Sequence, residues 1–297
     1  MDMKRPIRHA CILFMAAMAT AGCVKDDLAD SLLCGKGAVE LTADFSRHTA
    51  DMPLPSAYQA MVAGQTFSVP ADAPALLPYH FEPAAATLIA FNEPWGMERS
   101  GMTMQVCRLA DGSIEPMPEP LFTARADIAI PKDDTLRLTL PMQQRIFALR
   151  FELPVTRGDA SLIDRVEGEV AGIAQTFDLG SQQVVGGTPA RIRITFSREE
   201  AAVTRTGGDS PSAVAFIGKA GLLGIDGQAQ QLTLDILYTD GRHQTITTDL
   251  SRMMEDFGSG LSLEPLVITG GMEAPEEVGM EAVIKDWTVK DREIEIK

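Results

Sequence analysis

The feature that most constrains the fold of this chain is a period of two. Val39, Leu41, Ala43 and Phe45 alternate with Glu40, Thr42 and Asp44, and Leu136, Leu138 and Leu140 alternate with Thr135, Arg137 and Thr139. Phe147, Leu149, Phe151 and Leu153 share one face of a longer run, and Ile192, Ile194 and Phe196, then Leu232, Leu234, Ile236 and Tyr238, repeat the pattern. Successive side chains of a strand point to opposite faces, so this alternation marks strands with one buried and one solvated face. Turn signals separate the runs: Asp111-Gly112, Gly186-Gly187, Asp226-Gly227 and Asp240-Gly241. The last joins two alternating runs directly and predicts a hairpin.

Many short strands divided by Gly and Pro turns predict an all-β chain of sandwiches. One segment breaks the period. Leu250, Met253, Met254 and Phe257 fall at helical spacing, with Asp249 placed to cap and Gly258 to terminate, and predict one short helix in the second half. The 297 residues, less the leader of about 22, suit two domains of ordinary size. The boundaries expected are 1–22 for a signal peptide, 23–37 for a tether, 38–140 for an N-terminal sandwich and 141–297 for a C-terminal one. Pro116–Pro120 reads as a loop of the first domain and Thr204–Ser212 as an exposed loop of the second.

The leader carries its own chemistry. Lys4, Arg5 and Arg8 precede an apolar run from Ala10 to Ala19, followed by Thr20-Ala21-Gly22-Cys23. That run is shorter than the roughly 20 apolar residues a spanning helix needs, and its basic flank reads as a secretory signal. Small residues before a cysteine form a lipobox, in which the Cys23 thiol receives lipid such as palmitate. The sequence therefore predicts a lipoprotein held at a membrane by Cys23.

Charge narrows the partners. The chain carries −15, and loss of the basic leader makes it more acidic still. Nucleic acid, whose phosphates demand clustered Lys and Arg, is excluded as a partner, and membrane contact would come from the lipid rather than from charge.

Catalytic patterns are missing. His48, His80 and His243 are widely separated, His80 as a packed or half-exposed strand residue and His243 as a solvated turn residue. There is no nucleophile elbow, phosphate loop or metalloprotease helix, and nothing implies a cofactor or metal. The acidic pairs Asp133-Asp134, Glu199-Glu200 and Glu276-Glu277 lie in turn-like segments rather than in a desolvated cleft. Cys34 and Cys107 have no spacing that decides between a disulfide and two free thiols. Trp95 reads first as a loop residue covering the core, with an exposed sugar-binding aromatic as the other reading, and Trp287 reads as core. The chain is read as a non-enzyme.

Several stretches together resemble one family. They are Leu88-Ile89-Ala90-Phe91-Asn92-Glu93, the strand Ile163–Ala174, Leu222-Leu223-Gly224-Ile225, Asp249-Leu250-Ser251 and Ala282–Trp287. The family is that of fimbrial anchor and accessory subunits of Bacteroidales, of the major- and minor-fimbrium anchor type. Here the turn reads Phe-Asn-Glu rather than Tyr-Asn-Glu, and Glu169 and Val170 stand where the pattern has a small residue and leucine, so the match carries membership rather than subtype. Cys23 followed by Lys25, Asp26 and Asp27 is similar to the surface-export signal of Bacteroidetes lipoproteins, which implies lipid anchoring at the cell outer membrane and exposure on its outer face.

The resemblance implies two tandem transthyretin-like sandwiches and a place in a type V fimbria. It implies assembly with other fimbrial subunits by strand addition, in which main-chain hydrogen bonds supply affinity and alternate side chains fill pockets. In shaft subunits of that family, cleavage after an arginine removes the first strand. Arg47 is the candidate here, and the expectation is that it stays uncut, because a cut would detach the lipid with the strand. The final run, with Trp287, Val289, Ile294 and Ile296, is either a donor strand or the last strand of the second sandwich. The competing reading of the whole chain is a stand-alone glycan-binding surface lipoprotein of a nutrient-uptake system.

Overall fold

A computed structural model describes residues 33–50, 52–201, 213–227, 229–260 and 262–290. The leader, Cys23, Lys25, Asp26 and Asp27, the loop Thr204–Ser212 up to residue 212, and Ile294 and Ile296 lie outside them. The chain is all-β, as its period of two predicts.

Two sheets make the first sandwich. In the smaller, β1 (Ala38–Asp44) lies between β9 (Thr135–Pro141), to which it is parallel, and the short antiparallel β4 (Ala75–Leu76). The larger runs in the order β10 (Gln143–Gln144), β8 (Phe122–Ala129), β5 (Ala85–Phe91), β2 (Ala57–Val62) and β3 (Gln65–Pro70). Val39 and Leu41 of one sheet and Tyr58, Leu88 and Phe122 of the other share a single core and are almost wholly buried. The pleat explains the choice: every second residue of β1 is apolar and points inward.

The second sandwich has a five-stranded sheet in the order β16 (Ser197–Ala201), β17 (Ala213–Leu222), β11 (Phe147–Arg157), β20 (Leu266–Glu273) and β21 (Val283–Val289). Its partner sheet runs β15 (Ala190–Thr195), β12 (Ile163–Ile173), β18 (Gln231–Tyr238) and β19 (His243–Asp249). Phe196 sits where the chain passes from the second sheet to the first. A Cβ at Gly168 or at Gly218 would come within 2.9 Å of its ring, so each sheet presents a glycine where the ring lies. The hairpin expected at Asp240-Gly241 joins β18 to β19, with Gly241 at φ +85° and Tyr238 accepting its N–H.

A fifth sheet ties the two together. Between β5 and β8 the chain makes an excursion containing β6 (Met97–Ser100) and β7 (Thr103–Val106). The latter pairs with β13 (Thr176–Asp178), which pairs with β14 (Gln183–Val185). Met104, Val106, Ile114 and Leu121 of the excursion are buried in the core of the second sandwich. Asn92 closes its base: its amide donates to the Pro120 carbonyl at 2.9 Å and accepts from the Phe122 N–H at 2.6 Å.

The helix expected over Leu250–Phe257 is instead a run of turns. Leu250, Met253 and Met254 are buried as the spacing demanded, but the bonds Met253 N to Leu250 O and Phe257 N to Met254 O each span three residues, and the four-residue bond Met254 N to Leu250 O is not continued into a ladder. Asp249 caps an Asx turn, accepting from the Ser251 N–H at 2.9 Å. Gly258, at φ +81°, packs on Gly224 so closely that a Cβ would lie 2.6 Å from its Cα. That contact ends the segment before a helical nucleus could pay back its entropy. The helical element among the described residues is a 3-10 turn, Ala160–Leu162, capped by Asp159.

Candidate functional site

The residues singled out for assembly begin at the first strand. Val39 and Leu41 face the core of the first sandwich, and Phe45 meets the Phe122 ring edge-on at 5.2 Å. Both edges of β1 are bonded, as its central place requires. Just beyond it, Arg47 is exposed in a bend and lines a cavity of about 250 Å³ with Gln143, Arg145 and Leu263.

The bend is held on both sides. Upstream, the Ser46 N–H donates to Asp44 at 2.9 Å, and His48 Nδ1 lies 2.6 Å from the Phe45 carbonyl. Downstream, the Thr49 N–H donates to Gln144 Oε1 and its hydroxyl to the Leu263 carbonyl, both at 2.8 Å. Thr49 thus bonds one residue from each half of the chain.

Beside Gln144, a polar knot joins the sandwiches. Arg145 donates to Thr123 Oγ1 at 2.9 Å and to Gln182 Oε1 at 2.9 Å, while its guanidinium covers the Phe177 ring. Thr123 also donates to Gln182 at 2.7 Å. Burial lowers the pKa of Arg145 below its ordinary value, the cost of keeping a cation in a part-buried joint.

Trp287 and Val289 are buried in β21, at one edge of the five-stranded sheet. The ring of Trp287 lies over Gly270, where a Cβ would come within 2.9 Å of it. Lys290 donates to the Val267 carbonyl at 3.0 Å, and residues 291–297 continue from there.

Other expectations divide. Trp95 does not cover the core: it is 64% exposed. Its backbone is fixed instead, donating to Glu119 Oε2 at 3.0 Å and accepting from the Glu119 N–H at 3.0 Å. His80 is exposed in a loop and belongs to no strand, and His243 is exposed at the start of β19. Cys34 and Cys107 are both free thiols. Burial, then the nearby carboxylates of Glu98 and Glu115, raises the pKa of Cys107 and disfavours its thiolate. Sequence reasoning missed the knot around Arg145 and the clip at Asn92. Asn92, alone of its type in the chain, was the one signal for the latter.

A family model described as fimbrillin-A associated anchor proteins Mfa1 and Mfa2 matches residues 84–293. No curated protein sequence matches the chain. Among solved structures, an adhesin candidate from Bacteroides thetaiotaomicron is similar at TM-score 0.58 and 14% identity, covering 86% of this chain and 98% of its own. The fimbrial anchor protein Mfa2 from Porphyromonas gingivalis is similar at TM-score 0.54 and 12% identity, covering 85% and 96%. A polysaccharide-binding candidate from Bacteroides thetaiotaomicron is similar at 0.53 and 9%, covering 87% and 99%. At such identities the likeness to these three is one of fold.

Proposed function

Since the chain belongs to the family of fimbrillin-A associated anchor proteins, we propose that it is a lipid-anchored, non-enzymatic subunit of a type V fimbria. In this reading Cys23 carries the lipid, Lys25, Asp26 and Asp27 direct the protein to the outer face of the outer membrane, and the two sandwiches, divided near residue 141, join other fimbrial subunits by strand addition and support adhesion. The family match carries the reading. The position of β1 agrees with it: the strand that follows the tether is the central member of its sheet, so the anchor is continuous with the core.

The test is direct. The chain carrying Cys23→Ser should leave the membrane fraction, and the fimbrial subunits captured with it should leave too. Retention of the unlipidated chain through detergent-free washing would overturn the anchoring.

The exposed Trp95 favours a second reading, a stand-alone glycan-binding lipoprotein, because a fixed, solvent-facing indole is what a sugar face stacks upon. Fimbrillin genes beside this one support the first reading and sugar-transporter genes the second.

A further inference from the structure

Most arginines among the described residues meet a carboxylate, as a net charge of −15 makes easy. Arg47 and Arg145 do not. Among the described residues neither stands in an ion pair, yet both line one cavity of about 250 Å³ where the two sandwiches meet. Gln143 and Gln144 of β10, with Arg145 after them, form one wall. Arg47 stands in the bend that follows β1, and Ser259 and Gly260 belong to the segment leading to β20.

Two cations facing one small space repel each other, and the repulsion grows as water is excluded. Arg145 is part-buried, and burial lowers its pKa with no carboxylate among the described residues to raise it again. The groups that hold it are neutral: Thr123, Gln182 and the Phe177 ring. Hydrogen bonds to neutral oxygens satisfy its N–H groups without balancing its charge.

The hydrogen-bonding groups around the cavity are unequal in the same sense. Its acceptors are taken. Gln144 Oε1 receives the Thr49 N–H, and the Leu263 carbonyl receives the Thr49 hydroxyl. Gln144 Nε2 is spent as well, on the Ile146 carbonyl at 2.7 Å and on Thr49 Oγ1 at 3.2 Å. Donors are left over. Arg145 bonds through Nε and Nη2, which leaves Nη1, and the Arg47 guanidinium has no hydrogen bond among the described residues. Gln143 can turn its amide to present a donor as well. A group made only of acceptors and carrying negative charge suits such a space. Oxyanions meet both conditions, and the guanidinium fork takes carboxylate or phosphate oxygens two at a time, in shorter and stronger bonds than neutral acceptors give.

Size and field narrow the class. The cavity is smaller than the roughly 300 Å³ at which pockets for drug-sized ligands begin, so it suits one phosphate group or the carboxylate end of one acidic sugar. A polyanion would be repelled by the overall charge of the chain.

We propose that the cavity between Arg47 and Arg145 binds a small oxyanion, a phosphate or the carboxylate of a single acidic sugar. Bound there, the anion turns the repulsion of two cations into two attractions. It also links the bend after β1 to the start of the second sandwich. The site stands on the cavity and its charges, and does not depend on the fimbrial reading.

The experiment uses the full chain carrying Cys23→Ser and isothermal titration calorimetry, with ionic strength fixed by sodium chloride. Inorganic phosphate and glucuronate are the probes, and glucose is the uncharged control. At least one of the two oxyanions should bind saturably at one per chain, and glucose should not bind. Arg47→Gln removes an exposed cation that holds no contact in the fold, and should weaken binding by about tenfold or more. Arg47→Lys keeps the charge without the fork and should fall between the two. Arg108→Gln, at a separate arginine-lined cavity, should bind as the parent does. Arg145→Gln should lose binding too, with circular dichroism reporting its fold; if it unfolds, the Arg47 variants carry the test.

Phosphate bound without glucuronate assigns a phosphoryl ligand, and the converse assigns a sugar acid. Binding of neither oxyanion up to about 10 mM would overturn the proposal. So would glucose binding as tightly as the anions, or Arg47→Gln binding like the parent.

Discussion

The guanidinium of Arg145 lies 5.0 Å from the ring centroid of Phe177, and this one contact spans the joint between the sandwiches. Removing a part-buried cation that satisfies two side chains costs more than trimming a surface arginine. Arg145→Ala should lower stability by about 2–3 kcal/mol. Arg145→Met keeps cover over the ring and leaves Thr123 and Gln182 bonded to each other, so it should cost about 1 kcal/mol. Urea unfolding followed by tryptophan fluorescence distinguishes the two. A split into two transitions for Arg145→Ala would show that the knot couples the sandwiches.

Asn92 offers a sharper case. Asn92→Ala strands the buried Phe122 N–H and the Pro120 carbonyl, and should cost about 2–3 kcal/mol. Asn92→Asp retains the acceptor but sets a carboxylate oxygen against the Pro120 carbonyl, so it should recover only part of the loss. Hydrogen exchange across residues 93–121 should quicken in both, because the clip closes the base of that excursion.

Tyr58 carries a buried hydroxyl with no hydrogen-bond partner among the described residues, and burial pushes its pKa up to about 12. A raised folded-state value means that its contribution is fully present below pH 10 and is lost as pH climbs toward 12. Tyr58→Phe should flatten that alkaline decline. At neutral pH it should be neutral or stabilising by about 1 kcal/mol, since the orphan hydroxyl disappears with nothing left unpaired. A clear loss of stability at pH 7 would show that the hydroxyl has a partner in solution.

At the acid end the signs reverse. The carboxyl pKa of Asp44 is lowered chiefly by the Ser46 N–H, and those of Asp111, Asp159 and Asp249 chiefly by the hydroxyls of Ser113, Ser161 and Ser251. Depressed folded-state values give a contribution present above the unfolded aspartate pKa and lost as pH falls through the folded ones. Urea midpoints should therefore be level above about pH 5 and decline below about pH 4. Replacing Ser113, Ser161 and Ser251 by alanine should shrink that decline, and Ser46→Ala, which keeps the N–H, should change it less.

Arg47 was expected to stay uncut because cleavage would release the lipid. We propose that the bend itself also slows any cut there. A protease needs the chain extended in its cleft, and the bend is bonded on both sides, so cutting must await local opening. Thr49→Ala with Gln144→Ala should speed cleavage at Arg47 by an arginine-specific protease, measured by mapping the new N-terminus. The nicked chain should still elute as one species in native buffer, because β1 remains bonded to β4 and β9. Separation without denaturant would count against that.

These features were not equally legible. Each alternating run announced its strand because burial on one face imposes the period directly, and Asp240-Gly241 announced its turn. The parallel pairing of β1 with β9 joins segments almost a hundred residues apart, and no local pattern encodes such a choice. Leu250, Met253, Met254 and Phe257 misled because a series of turns over a core selects the same spacing as a helix face. Trp95 misled in the opposite sense: an indole fixed through its backbone can face water without local sequence revealing it. The knot at Arg145 depends on Phe177 and Gln182 arriving from the other sandwich, which only the assembled fold brings about.

The central place of β1 has a mechanical meaning. A pull on the tether would enter the first sandwich at Ala38, along the strand axis, against neighbours bonded on both sides. Load applied that way shears the whole ladder at once rather than peeling it bond by bond, so the rupture force grows with strand length. An edge strand in the same position would unzip under far less tension. In the anchored reading proposed above, β1 would hold as a rivet and not as a flap.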